Sequence, residues 1–284
     1  MKATASASSR TSSKPATPAA DWLRGLQSRT VRERVEALDA LERKSLPLVL
    51  DRVLANLNHR SAVVRQAAAD CLGKLEVAAA IDALLALLKD ESSDVRCSAA
   101  ESLGTLLDSS GKCPPALLEL LSDADEFCRL IAVESIGMIG DRKVLDELWM
   151  KVDDPEPLVR RNVAAVIGEL GRKSDRSRLR RLLKAEPTEM ARAGVLEGLY
   201  ELGETAVFPQ LLQLIESDDY LVQCFVANAL GELKLGAEEA QAASDRLRAL
   251  RKKDRSPAVR EALETGLKGV RRRLAQLKRE AAVR

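Results

Sequence analysis

SAVVRQAAADCLGKL, residues 61–75, places apolar side chains at Val64, Ala68, Ala69, Leu72 and Leu75. Those positions share one face of a 3.6-residue helix. The phrase returns along the chain as SDVRCSAAESLGTL (93–106), DEFCRLIAVESIGMIG (125–140), EPLVRRNVAAVIGELG (156–171), EMARAGVLEGLYELG (189–203) and LVQCFVANALGEL (221–233). Weaker copies flank these at Arg34–Leu41 and Val259–Leu267. The residue after the first aliphatic gives a register: Arg34, Arg65, Arg96, Arg129, Arg160, Arg192, Gln223 and Arg260. Successive steps are 31, 31, 33, 31, 32, 31 and 37 residues. Repetition at this period signals a solenoid, whose units are too small to bury a core alone and stack on their neighbours.

Each unit reads as two helices. Between the copies lie further aliphatic stretches with helical spacing, such as Ile81, Leu84, Leu85, Leu87 and Leu88. Asp, Ser, Asn and Pro gather at the joins, where they cap helices and set turns. Gly73, Gly104, Gly137, Gly168 and Gly231 recur eight residues after the anchor, which lets helices approach closely at some cost in propensity. The reading is an all-α, right-handed α-solenoid of about eight two-helix repeats over residues 19–284, ending in a basic C-terminal helix. Residues 1–18 combine Ala, Ser, Thr and Pro with three basic residues and read as a disordered tail.

The pattern V-R-x-x-A-A-x-x-L-G-x-L resembles HEAT repeats, in particular the short variety also found in phycobilisome lyase proteins. The resemblance covers about residues 19–270 and is specific for fold rather than function. It implies a ladder in which an acid in the turn within each repeat meets an arginine of the neighbouring unit. Acids stand six residues before the anchor at Asp90, Asp123, Asp154, Glu186 and Asp254. The pattern departs at His59, Ser217 and Gln223, where looser coupling is expected.

Composition narrows the function. Aromatic residues are only 2%, so Ala and Leu must fill the core, with Trp22 and Trp149 as packing residues. No run reaches the length of a membrane span, and no secretory signal follows Lys2. Five cysteines without C-x-x-C pairing read as reduced thiols of a cytoplasmic protein. His59 is the single histidine, so neither a His-based triad nor a His metal cluster can be assembled. No phosphate-binding glycine loop occurs. The expectation is a protein that is not an enzyme and needs no cofactor.

Charge is uneven. Residues 244–284 carry 14 Lys/Arg against 5 Asp/Glu, a net of +9, whereas the remainder is net −7. The resemblance places the V-R-x-x-A-A helices on the inner face of the solenoid. Helical geometry then turns anchor positions +1, +2, +5 and +9 outward. Positions +5 and +9 bring Glu101, Glu134, Glu169, Glu197, Glu201 and Glu232 onto that face. Apolar residues interrupt them at Leu130, Ile131, Met138 and Phe225. An acidic rim around apolar residues is the layout of a protein interface, suited to a partner with a basic segment. The same acids also serve solubility, and the same apolar residues suit packing between units.

Three other functions stay open: a bilin-lyase-like subunit or chaperone, a nucleic-acid or anionic-surface binder acting through the C-terminal helix, and an immunity-type or regulatory inhibitor of one cognate protein. Basic residues cluster at Arg172–Lys184, Arg251–Lys253, Arg271–Arg273, Lys278 and Arg279, but no aromatic stacking platform accompanies them.

Overall fold

The computed structural model describes residues 18–252 and 256–283. The tail expected over residues 1–18 falls almost wholly outside the described residues, as do Lys253 and Asp254. Among the described residues there are sixteen α-helices and no strand. They form eight consecutive pairs, as the repeat register requires. Two compact units divide the chain between Leu106 and Leu107.

The first unit holds α1 (Pro18–Leu26) and α2 (Val31–Asp39), α3 (Leu50–Asn56) and α4 (Ala62–Lys74), and α5 (Ile81–Leu87) and α6 (Ser93–Leu106). The second holds α7 (Pro115–Glu119) and α8 (Glu126–Ile139), α9 (Leu145–Trp149) and α10 (Pro157–Leu170), and α11 (Arg176–Ala185) and α12 (Glu189–Glu201). It continues with α13 (Phe208–Gln213) and α14 (Tyr220–Glu232), then α15 (Ala237–Arg251) and α16 (Pro257–Val283). The first helix is short in the pairs that begin with α3, α5, α7, α9 and α13, and several first helices open with a single 3-10 turn, as at Ala78–Ala80 and Thr205–Val207.

Within each unit the second helices stack on one another and carry the core. Val64, Ala68, Ala69 and Leu72 of α4 are fully buried, as are Val95, Ala99 and Leu103 of α6. Ala132 and Ile136 of α8, and Val163 and Ile167 of α10, repeat the pattern. Caps come from the joins: the Asp125 carboxylate accepts from the backbone of Phe127 and Cys128, and Thr188 Oγ1 accepts from Ala191 N. Gly140 ends α8 in the left-handed region at φ +75°, where a side chain would be strained.

The ladder forms, and its turn acid has two tasks. The Asp154 carboxylate accepts from Glu156 N at 3.0 Å, which shapes the turn, and takes both arms of the Arg129 fork at 2.8 and 3.0 Å. Glu186 likewise accepts from Thr188 N and holds the Arg160 fork at 2.9 Å on both sides. In the first unit Arg65 grips Asp90 at 2.7 Å on both sides. Burial pushes the Asp90 and Glu186 carboxyls up, but the hydrogen bonds from arginine and backbone outweigh it and hold both below their ordinary values. At His59 the rung is rebuilt rather than missing: Arg34 donates to the Asn56 amide oxygen at 2.6 Å.

Candidate functional site

Second helices of the second unit bring most of the expected interface residues together. Glu134 and Met138 project from α8, Glu169 from α10, Glu197 and Glu201 from α12, and Phe225 and Glu232 from α14. An open cleft of about 260 Å³ lies along this face, with Glu134, Met138, Glu169, Glu197 and Glu232 in its lining. Glu134, Met138, Glu169, Glu201 and Glu232 are exposed. Glu101 belongs to the first unit, where it is exposed and lines a cleft of about 400 Å³ with Asp70, Lys74 and Ser98.

Helix packing explains why carboxylates can crowd here. Residues on α10 and α12 approach at backbone level: a Cβ on Gly168 would stand 2.2 Å from Gly198 Cα, and one on Gly194 would stand 2.0 Å from the Arg161 carbonyl oxygen. Only glycine allows that approach. It brings the faces of the two helices, and the acids on them, close enough to feel one another.

Arg161, which the sequence reading passed over, organises the cleft. It is the one basic side chain in the lining. Its guanidinium donates to Glu197 Oε2 at 2.6 Å and to Asn162 Oδ1 at 2.7 Å, and stands 4.8 Å from the centroid of the Phe225 ring. Asn162 in turn donates to Glu134 Oε1 at 2.6 Å. The chain Glu134–Asn162–Arg161–Glu197 therefore links α8, α10 and α12, and the cation–π contact extends it to α14. A signal existed: at anchor +1 the other repeats carry Val35, Gln66, Cys97, Leu130, Ala193, Cys224 and Glu261, and Arg161 alone is basic.

This network corrects part of the outward assignment. Glu197 is not a solvent-facing acid: its side chain is 12% exposed and paired with Arg161. Phe225 is half-buried under the same guanidinium, and Leu130 and Ile131 are half-buried rather than free on the surface. The 100° step finds the correct side of the helix but not how far the neighbouring second helix covers it.

Electrostatics follow from the crowding. Desolvation in the cleft comes first, then the charges of Glu197, Glu201 and Glu232, partly offset by Arg161; together they push the Glu169 carboxyl up to about 7. Burial also raises Glu197 against the attraction of Arg161, and raises Glu201 against Lys234. A face that holds carboxylates at such cost gains when a cation approaches.

Three residues of the outer basic cluster have partners within the chain, while Arg172, Lys173, Arg181 and Lys184 are exposed. Arg178 stacks on Trp149 at 4.0 Å, Arg180 pairs with Glu204 at 2.8 Å, and Arg176 donates to the Leu202 carbonyl oxygen. Trp149 itself is buried, as a packing residue should be. The five cysteines are free thiols, and burial raises Cys71 to about 11 and Cys113 to about 12. No helix among the described residues is long and apolar enough to cross a membrane.

Comparison with known proteins agrees with this architecture. Among solved structures, the complex of CpcE and CpcF of phycocyanin lyase from Nostoc sp. PCC7120 is similar, with a TM-score of 0.58 and 21% identity over 80% of this chain and 94% of that one. YibA of E. coli is similar at a TM-score of 0.53 and 21% identity, over 87% of this chain and 91% of that one. The Kap95:Nup1 complex gives a TM-score of 0.55 at 15% identity, over 90% of this chain but 39% of the other. At these identities the likeness is one of fold. No curated protein matches. The HEAT-repeat profile matches residues 50–115, 114–199 and 185–268, and the chain belongs to the HEAT-repeat family.

Proposed function

We propose that the chain is a non-enzymatic interaction scaffold or adaptor, which docks a basic segment of a partner protein on the acidic face formed by α8, α10, α12 and α14. The observation that carries this reading is the cleft in which Glu134, Glu169 and Glu232 stay exposed beside Met138, with Glu201 exposed on the same face and the Glu169 carboxyl raised to about 7. A Lys or Arg side chain entering there relieves repulsion among the acids, and the exposed Met138 offers an adaptable apolar contact. Membership in a family of stacked-helix proteins supports a binding role, since solenoids present extended surfaces to macromolecules. The partners named with the similar structures, CpcF with CpcE and Nup1 with Kap95, are in keeping with it.

Affinity capture with the full chain tests the reading. The wild type should retain a partner that a variant with Glu134, Glu169, Glu201 and Glu232 changed to Lys does not, while circular dichroism shows both equally helical. Retention of the same partner by both chains would move the interface elsewhere on the molecule.

A further inference from the structure

The ladder has an open rung, and a cleft lies at it. Arg65, Arg129 and Arg160 each place a two-armed fork on the turn acid that follows 25 or 26 residues later. For Arg192 that position is Ser217. Ser217 keeps one of the acid's two tasks, because its Oγ accepts from Asp219 N at 3.1 Å and so shapes the turn. It cannot perform the other. Among the described residues Arg192 makes no ion pair; its guanidinium donates only to the Leu183 carbonyl oxygen at 3.3 Å. Glu189, one turn earlier on α12, instead accepts from the Ser217 hydroxyl. The next anchor continues the change: Gln223 donates to the Ser217 carbonyl oxygen, as the ladder arginines do within their own repeats, but brings no fork.

Arg192 and Ser217 both line a cleft of about 670 Å³ between α12 and the α13–α14 turn. Gln210 and Gln213 add amide donors to its lining, and Glu189, Glu216, Asp218 and Asp219 add negative charge. It shares no lining residue with the acidic cleft described above.

We propose that this cleft is a carboxylate-binding site, in which Arg192 grips the carboxylate of an incoming ligand as its counterparts grip the turn acid of the next repeat. A guanidinium presents two parallel N–H bonds that match a carboxylate, and here it is half-buried with its charge unpaired. Glu216 is already paired with Arg246, but Glu189, Asp218 and Asp219 disfavour an anion alone. They select a carboxylate that carries positive charge beside it, a chemistry shared by the C-terminus of a basic peptide and by a free basic amino acid. The volume of the cleft and its polar wall favour the peptide terminus as occupant, with the carboxylate on Arg192 and the basic side chains against Asp218 and Asp219.

The test follows the side-chain Nε–Hε resonance of Arg192 by nuclear magnetic resonance in the full chain. Three probes are added: acetylated trilysine with a free carboxylate, the same peptide as its amide, and free lysine. The free-acid peptide should give a saturable shift and the amide should not. Ser217→Asp supplies the rung acid from within and should abolish the shift, whereas Ser217→Ala should retain it. Arg192→Gln, followed by calorimetry, should bind about tenfold more weakly, the worth of one charged hydrogen bond. Lysine binding as tightly as the peptide keeps the carboxylate site but overturns the peptide as its occupant. Equal binding of acid and amide, or undiminished binding by the Ser217→Asp variant, overturns the site itself.

Discussion

The step from α10 to α12 and the step from α12 to α14 are built from the same repeat and behave differently. On the first, glycines bring the helices to backbone contact, and the Arg160 fork closes on Glu186. On the second, α12 packs much less closely on α14, the rung is open at Arg192 and Ser217, and the Arg161–Phe225 stack reaches across. A solenoid step can spend its polar groups on its neighbour or keep them for solvent and ligands. The two clefts of the second unit divide accordingly: the acidic one is lined mainly from α8 and α10, beside the close step, and the one at Arg192 and Ser217 lies against the looser step.

The largest effect expected from breaking this contrast is steric. A Cβ on Gly198 would lie 2.4 Å from the Ala164 carbonyl oxygen, a backbone atom that cannot swing aside. Gly198→Val should therefore exceed the usual overpacking cost of about 1–3 kcal/mol in denaturant unfolding. Phe225→Ala, on α14, should cost about 2 kcal/mol, from its half-buried ring and its cation–π contact with Arg161 together.

Next in size is the ladder itself. Arg160→Ala leaves the Glu186 carboxylate, only 4% exposed, without its cation, and should destabilise by about 3 kcal/mol. Arg192→Ala removes one hydrogen bond to a carbonyl and should cost at most about 1 kcal/mol. Equal losses in the two variants would show that the open rung is not open in solution.

A smaller effect should appear with pH. The folded Glu169 carboxyl sits at about 7, above its ordinary value, so the folded chain holds this proton more tightly than the unfolded one. Its contribution to stability is whole below about pH 4.5 and is lost as pH rises through 7. Glu169→Gln should therefore flatten the decline of the thermal midpoint between pH 5 and pH 8 and leave the acid side unchanged. Asp90 and Glu186 act in the opposite sense: their depressed values give stability that is present above their ordinary range and lost as pH falls through the folded values. Their rungs should open only in acid.

Much of this was legible in the sequence because a repeat states the same physics eight times. Val64, Ala68 and Leu72 announce a buried stripe, and Asp154 and Glu186 stand where a turn acid should. The clefts were less legible because they depend on how far one second helix covers the next. Glu197 shares its repeat position with the exposed Glu101 and Glu134, yet Arg161 covers it, and Phe225 stands at a position that Ala67, Ser98 and Asn162 show to be mostly buried. Arg161 was visible as the odd residue at its repeat position, but its role required the third dimension. Ser217 shows the limit from the other side: its departure from the pattern was plain, whereas the cleft beside it was not.

Docking of a basic partner on the acidic second-helix face is open to direct measurement by surface plasmon resonance. The partner isolated by affinity capture is measured at two ionic strengths against the wild type and against the variant with Glu134, Glu169, Glu201 and Glu232 changed to Lys. The wild type should associate fast and lose rate as salt rises, because exposed charges steer encounter, and the variant should associate slowly at low salt and lose no rate as salt rises, because its lysines repel a basic partner. Identical kinetics and identical salt dependence in the two chains would contradict docking on this face.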